Sequence, residues 1–301
     1  MLARGAHAQR CTASQRWPVL ASVGFRRART HIGPGVLAAS SAPAVHSPSG
    51  PSRLVELEVR QASNAAELRA AAYLRAISFY TYPEGRSEFA ARSHRRLKAD
   101  TEWEAVTQKV EGRDELYKDL DVSCFVACVA DDLVQLPAPG SSAASVSGSS
   151  SGDPDRQELL AALRAGLDAS AQLPADPAAG VSRQLVVGSL DLNVGHTLPS
   201  EELIGKQPKE DPRHRRAYLS NVCVAPAARR LGVARALLRV AEEEARRKGV
   251  EWLYVHVVAD NQPAVALYCG AMGFEVEQAE SEGYARSLQR PRRLILAKQL
   301  S

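Results

Sequence analysis

The chain has 301 residues, enough for one or two domains at roughly 100–200 residues each. It is 45% hydrophobic and 24% charged, a globular rather than a disordered composition, and its apolar runs fall far short of the roughly 18 residues of a membrane-crossing helix. The 38 Lys and Arg against 34 Asp and Glu give a net +4, but seven of those Arg lie in residues 1–53, and the remaining 31 basic and 34 acidic residues argue against a nucleic-acid binder.

The leader holds Arg4, Arg10, Arg16, Arg26, Arg27, Arg29 and Arg53 among seven Ser, with no acid before Glu56. Arg-rich, Ser-rich and acid-free is the composition of an organelle transit peptide. Residues 1–53 are therefore expected to be a disordered transit peptide, plastid or mitochondrial, and 54–301 the folded domain. Leu54–Arg60 alternates like a strand, Asn64 to Phe79 has helical spacing, and a second helical region runs from Ser87 to Leu116. Cys124–Ala130 is a short apolar strand. Residues 132–182 read as an insertion between two strands. Within them Pro137 to Gly152 is a low-complexity Ser, Ala, Gly and Pro linker, and Arg156–Ser170 is an Ala/Leu helix.

Past the insertion, Gln184–Val194 reads as a strand interrupted by Gly188, 195–215 as a polar loop, and Ala217–Val224 as a strand. Leu231, Ala234, Leu238, Ala241 and Ala245 fall on one helix face, with Glu242–Arg246 and Glu243–Arg247 bracing the exposed side. Trp252–Val258 is a strand, Asn261–Met272 a helix, and Phe274–Gln278 and Arg293–Lys298 are two final strands. Strands and helices in alternation imply one α/β unit around a mixed sheet. Cys11, Cys124, Cys128, Cys223 and Cys269 lack zinc spacing, so reduced thiols and no metal are expected.

The most informative stretch is Ser220 to Arg235, where a strand runs through a short basic loop into a helix. The loop Arg229-Arg-Leu-Gly232-Val-Ala234 follows the pattern R-x-x-G-x-A. Free N–H groups at a helix start attract an anion, and Gly232 lets the backbone come close to it. Arg229, Arg230 and Arg235 add positive charge, so a pyrophosphate fits; the same pattern also occurs at ordinary helix starts. Neither G-x-x-x-x-G-K-[ST] nor G-x-G-x-x-G is present.

Some thirty residues on, Asn261, Ala264, Leu267, Tyr268, Gly273 and Phe274 follow N-x-x-A-x-x-L-Y-x-x-x-G-F. The two motifs together resemble the GNAT superfamily of acetyl-CoA-dependent N-acetyltransferases, over about 54–300. Ala234 stands where a second Gly is commoner. The segments Tyr218-Leu-Ser-Asn-Val-Cys-Val, Val255-His-Val, Gly188-Ser-Leu-Asp-Leu-Asn193 and Leu74-Arg-Ala-Ile-Ser-Phe-Tyr80 are similar to plant and algal plastid members, which acetylate protein N-termini and, to varying extents, lysines.

The resemblance implies a mixed, mostly antiparallel sheet with splayed central strands, flanked by helices. It implies that the backbone of Val222, Cys223 and Val224 pairs with the pantetheine arm of acetyl-CoA. Arg230, Leu231, Gly232, Val233, Ala234 and Arg235 would cradle the pyrophosphate, and Asn261, Gln262 and Pro263 would line the other side. Asn261 equally suits a helix N-cap. Tyr268 would face the sulfur and hydrogen-bond or protonate the leaving thiolate, or else be a packed core tyrosine with its hydroxyl satisfied. Tyr218 and His256 resemble the pair that acts through ordered water in some protein N-terminal acetyltransferases, with His256 tuned near neutral pH. His256 could also be a simple hydrogen-bonded strand residue. Tyr284 falls where such enzymes contact the peptide. The expected substrate is a protein or peptide N-terminus, with lysine second. A small-amine acetyltransferase and a non-catalytic CoA-binding module are the alternatives.

Overall fold

The computed structural model describes residues 56–80, 82, 85, 87–131, 154–167, 169–175, 182–196, 198 and 216–300. The expected transit peptide and the linker at 137–152 lie outside the described residues. Among these residues eight strands form one sheet: β1 (Leu57–Gln61), β2 (Leu120–Ala130), β3 (Gln172–Leu173), β4 (Gln184–Gly195), β5 (Arg216–Val224), β6 (Trp252–Val258), β7 (Glu275–Ala279) and β8 (Arg293–Gln299). The order is β1-β2-β4-β5-β6-β8-β7, with β3 pairing beside β4. Every pairing is antiparallel except β5 with β6.

The helices are α1 (Ala65–Phe79), α2 (Glu88–Val110), α3 (Pro154–Gly166), α4 (Val233–Arg247), α5 (Gln262–Val265) and α6 (Glu282–Ser287). No described helix is long and apolar enough to cross a membrane. Asn64 caps α1 by accepting from the Glu67 amide at 3.0 Å, while the Glu67 carboxylate accepts from the Ser63 amide at 2.7 Å. The first bond satisfies a donor the helix start leaves orphaned, and the second ties the residue before the cap to the first turn. Ala70, Ala71, Ala72 and Ala76 then let α1 lie close on the sheet. Strand β4 is buried almost throughout because helices cover both its faces, and its Leu185-Val186-Val187 run suits that setting.

The two faces can be assigned from the period of two along each strand. Ser189 and Asp191 of β4 bond Arg75 of α1, so they face α1. Gly188 faces α4: a Cβ there would come within 2.7 Å of Val233 Cγ1 and 2.9 Å of Leu237 Cδ1. That close approach accounts for a glycine inside an apolar strand. Register carries the α1 face across the sheet to Tyr218, Tyr254, His256 and Ile295. A second apolar cluster forms there from Leu120, Val122, Tyr218, Tyr254 and Ile295.

Several expected details are corrected. Helix α4 starts at Val233, so Leu231 lies outside it and is exposed, and its buried stripe is Val233, Leu237, Leu238, Ala241 and Ala245. Glu242 is buried and ties α4 to β8 through Lys298 at 2.7 Å; Arg247 pairs with Glu244, not Glu243. The second helix ends at Val110, where Glu111 caps it. The helix expected over 261–272 is a single α-turn followed by a π-helical segment, Ala266–Ala271.

Candidate functional site

Strands β5 and β6 run parallel and pair only from Arg216↔Trp252 to Leu219↔Val255. Beyond that point β5 stays with β4 and β6 with β8, so their C-terminal halves separate into a wedge. Two β5 residues, Asn221 and Val222, oppose the single β4 residue Leu190, since Ser189 pairs with Cys223 and Asp191 with Ser220. This is a β-bulge, and Asn221 takes the left-handed φ of 55° that it needs. A cavity of about 420 Å³ lies elsewhere, beside β1 and α1, but the wedge holds one of about 370 Å³. The smaller cavity is the one where the chemistry-bearing residues converge. Its lining includes Phe79, Asn221, Val222, His256, Asn261 and Tyr268.

Both parallel strands lead from the mouth of the wedge into a helix. After β5 the chain turns through Pro226–Ala228 into α4. Gly232 is the N-cap of α4 with φ 82°, and no side chain caps the helix. The first α-helical bond at this end is from the Ala236 amide to the Gly232 carbonyl at 3.0 Å. The amides of Val233, Ala234 and Arg235 thus precede the helix's own bonding pattern, as the first amides of any helix do. A Cβ at Gly232 would meet nothing within 4 Å, so glycine is needed here for its backbone conformation and for an open approach. Arg230 also has a positive φ of 68°, which stores strain at the same loop. Arg229, Arg230 and Arg235 are exposed around it. An anion such as a pyrophosphate fits this open, positively charged helix start.

At the end of β6, Asn261 lines the cavity and caps α5, its side chain accepting from the Ala264 amide at 3.3 Å. The capping role is therefore present. Gln262 and Pro263 are exposed and stand off the cavity lining. Of the β5 trio, Val222 lines the cavity, while the Cys223 side chain is buried against Ser189 at 3.7 Å. Burial pushes the Cys223 thiol up, so it stays protonated.

Tyr268 and His256 line the wedge from two sides, and Tyr218 is buried behind His256, outside the cavity lining. Tyr268, in the π-helical segment, is buried and packs edge-on against Phe274 at 5.6 Å. Phe274 lies beside Lys298, whose partner Glu242 is on α4, so Tyr268 sits on the α4 face. Its hydroxyl has no hydrogen bond to the described residues, unlike a satisfied core tyrosine. Burial pushes its pKa up, which keeps the proton on the oxygen at neutral pH.

On the α1 face, the Tyr218 hydroxyl and His256 Nδ1 share a hydrogen bond, and their rings stack with centroids 5.8 Å apart. Burial, reinforced by the Arg293 and Arg290 charges, lowers His256 to about 4. This corrects the expectation of a histidine tuned near neutrality. The arginine pair comes from the neighbouring strand β8 and the loop before it, which the residues of β6 alone do not reveal. Burial alone would raise the Glu280 carboxyl, but hydrogen bonds from Arg290 and Arg293 override it and hold it at about 2. Tyr284, on α6, is exposed, with the Arg290 guanidinium 6.0 Å from its ring centre.

Sequence reasoning missed Phe79, Asn221 and the Glu280–Arg290–Arg293 cluster. Asn221 had a signal: an Asn, a residue type that tolerates the left-handed backbone, inside a strand. Phe79 had none, because only the fold brings the end of α1 to the wedge. Among the described residues no group of three or more His, Cys, Asp or Glu could hold a metal ion.

A wedge between parallel strands, with a positively charged helix start at its mouth and a phenol inside, suits an extended, phosphate-bearing molecule with a proton donor beside it. Comparison with known proteins agrees. The model of the Acetyltransferase (GNAT) family matches residues 186–274. The chain is 34% identical to GCN5-related N-acetyltransferase 7, chloroplastic, of Arabidopsis thaliana over 231 residues, covering 76% of this chain and 71% of the relative. It is 42% identical to GCN5-related N-acetyltransferase 6, chloroplastic, of the same plant over 91 residues, 28% of this chain and 32% of that one. Among solved structures, Arabidopsis thaliana NAA60 in complex with acetyl-CoA aligns at 14% identity with a TM-score of 0.44, over 81% of this chain and 99% of that one. The NatC complex bound to Gag peptide and CoA aligns at 13% with a TM-score of 0.40, over 82% and 99%. The chain belongs to the GNAT family of acetyl-CoA-dependent N-acetyltransferases.

Proposed function

We propose that this enzyme acetylates protein N-terminal α-amines, and lysine ε-amines more slowly, in the plastid. The observation that carries the reading is His256: neutral, bonded to Tyr218, and lowered to about 4 on the face of the wedge opposite Tyr268. A base that weak cannot strip a proton from a free ammonium group, whose pKa lies about four units higher for an α-amine and about six for Lys. The amine must therefore arrive already neutral. At a pH of about 8 roughly half of α-amines are neutral, against under about 1% of Lys. The site selects by acidity before any side chain is read.

Acetyl-CoA supplies the acetyl group as a thioester. The amides of Val233, Ala234 and Arg235 with Arg229, Arg230 and Arg235 would hold its pyrophosphate, and the β5 edge at Val222 would lie along its arm. The amine nitrogen attacks the carbonyl carbon, forming the amide bond as the carbon–sulfur bond breaks. Nitrogen becomes far more acidic as it bonds to carbon, so Tyr218 and His256 then suffice to pass its proton towards water. Tyr268 donates its hydrogen bond to the departing sulfur from the other face. The acid-free leader and the chloroplastic naming of the two plant relatives support the plastid assignment.

The test offers the full chain acetyl-CoA with paired peptides, one with a free N-terminus and blocked lysines, the other reversed. The expected kcat/KM at pH 7.5 is at least tenfold higher for the free N-terminus, rising with pH as the α-amine deprotonates. Turnover of small amines with no peptide product would overturn the reading.

A further inference from the structure

Beneath the wedge lies a buried polar network that the chemistry above does not use. Arg75 of α1 and Asp191 of β4 are each 1% exposed and form an ion pair. Arg75 also donates to Ser189 Oγ at 3.3 Å and to Cys124 Sγ at 3.3 Å. The second carboxylate oxygen of Asp191 accepts from Asn221 Nδ2 at 2.8 Å. Next to it, Asn193 donates to the Tyr218 carbonyl at 2.9 Å and to Ser220 Oγ at 3.0 Å. A buried ion pair of this kind is a poor source of stability compared with apolar packing, so its presence calls for another role.

The network ends on the one β5 residue with a left-handed backbone. Asn221 and Val222 fall outside the β4 register because of the bulge and outside the β6 register because the strands have parted. Both line the wedge cavity. Their backbone is thus offered to whatever lies in the wedge, and its orientation rests on how the bulge is held. Left-handed Asn is tolerated but not favoured, so a tether is needed to keep one conformation dominant.

We propose that Asn221 is a positioning residue: held by Asp191, whose charge Arg75 balances, it fixes the β5 bulge so that the backbone of Asn221 and Val222 meets the arm of acetyl-CoA. This rests on the reading of the wedge as the acetyl-CoA site. The tether acts on binding rather than on the acyl-transfer step, because it touches neither Tyr268 nor His256.

The test compares the full chain with Asn221→Gly and Asn221→Asp. Both residues accept the left-handed backbone; Gly has nothing to donate to Asp191, and the Asp variant sets a second carboxyl group against it, which either repels it or must take up a proton. Calorimetry with CoA, steady-state kinetics and thermal melting are read together. The expected result is a CoA Kd about tenfold higher for Asn221→Gly and higher again for Asn221→Asp. The KM for acetyl-CoA should rise in parallel, kcat should stay within about twofold, and the Asn221→Gly melting temperature should stay close to wild type. Asn221→Gly binding CoA as wild type does, or losing kcat in place of affinity, would overturn the proposal. A wild-type chain that fails to bind CoA would overturn the acetyl-CoA site as well, so the two failures are told apart.

Discussion

Tyr268 and a thiol differ in acidity by about 1.5 units in water, and burial of the phenol widens that gap. Complete proton transfer to a thiolate would therefore be uphill, and in the proposed reaction the phenol would serve as a hydrogen-bond donor to charge as it develops. Its hydroxyl is free to do so because no described residue occupies it. Tyr268→Phe is expected to lower kcat by about 10²-fold, the lower end for a positioned proton donor, while CoA affinity measured by calorimetry stays within about twofold. His256 makes a second prediction from its surroundings, which are Tyr218, Arg290, Arg293 and Glu280. Its pKa in the fold is below the unfolded value of 6.5, so the unfolded chain binds more protons between the two. The stability linked to neutral His256 is fully present above pH 6.5 and is lost as pH falls towards 4. Glu280, held at about 2 against an unfolded 4.5, loses its own contribution between about pH 4.5 and 2, below the range over which His256 is tested. His256→Gln removes the histidine term, so its melting temperature should gain on wild type steadily from pH 6.5 to 4.5. Parallel melting curves against pH would remove the depressed histidine from the account.

At the scale of elements, the site is made by two departures from regular structure, the bulge in β5 and the left-handed start of α4. The second was legible in the sequence: Arg229-Arg-Leu-Gly232 pointed to a helix start, and the structure has one, though a residue or two later than the apolar spacing suggested. Spacing alone counted Leu231 into the stripe because three- and four-residue steps do not show where the N-cap lies. The bulge was not legible, since it depends on the register with β4, which a strand's own residues do not encode. The π-helical turn under Tyr268 was hidden for a similar reason: its motif reads as ordinary helix. Gly232 tests the helix start. Alanine there meets open space but not an allowed backbone, so Gly232→Ala should cost about 1–2 kcal/mol and a few degrees of melting temperature. Gly232→Glu adds a negative charge where the pyrophosphate would sit. It should weaken CoA binding at least tenfold in calorimetry, well beyond the alanine effect, and equal affinity would place the cradle elsewhere.

Across the whole molecule, the Tyr218–His256 pair followed only from the resemblance to a family, whereas the α/β class and the succession of strands and helices from Gln184 onward could be read from local pattern, because each rests on alternation or on a short motif. The buried Arg75–Asp191 pair and the arginine cluster around Glu280 could not, because their partners lie 116 residues apart in the first case and are brought together by the β7–β8 turn in the second. Charge is divided unevenly along the chain. Residues 1–53 carry seven Arg and no acid, whereas the rest is slightly acidic, with 31 basic against 34 acidic residues. A cationic, Ser-rich, acid-free segment has the composition that organelle import machinery recognises. Residues 1–53 fused to a fluorescent protein are therefore expected to carry it into plastids of leaf protoplasts, and the same reporter without them to stay in the cytosol. Replacing Arg4, Arg10, Arg16, Arg26, Arg27, Arg29 and Arg53 with Gln keeps length and polarity but removes the Arg charge, and should abolish import. Mitochondrial fluorescence from the intact fusion would move the enzyme to the other organelle, with its chemistry unchanged.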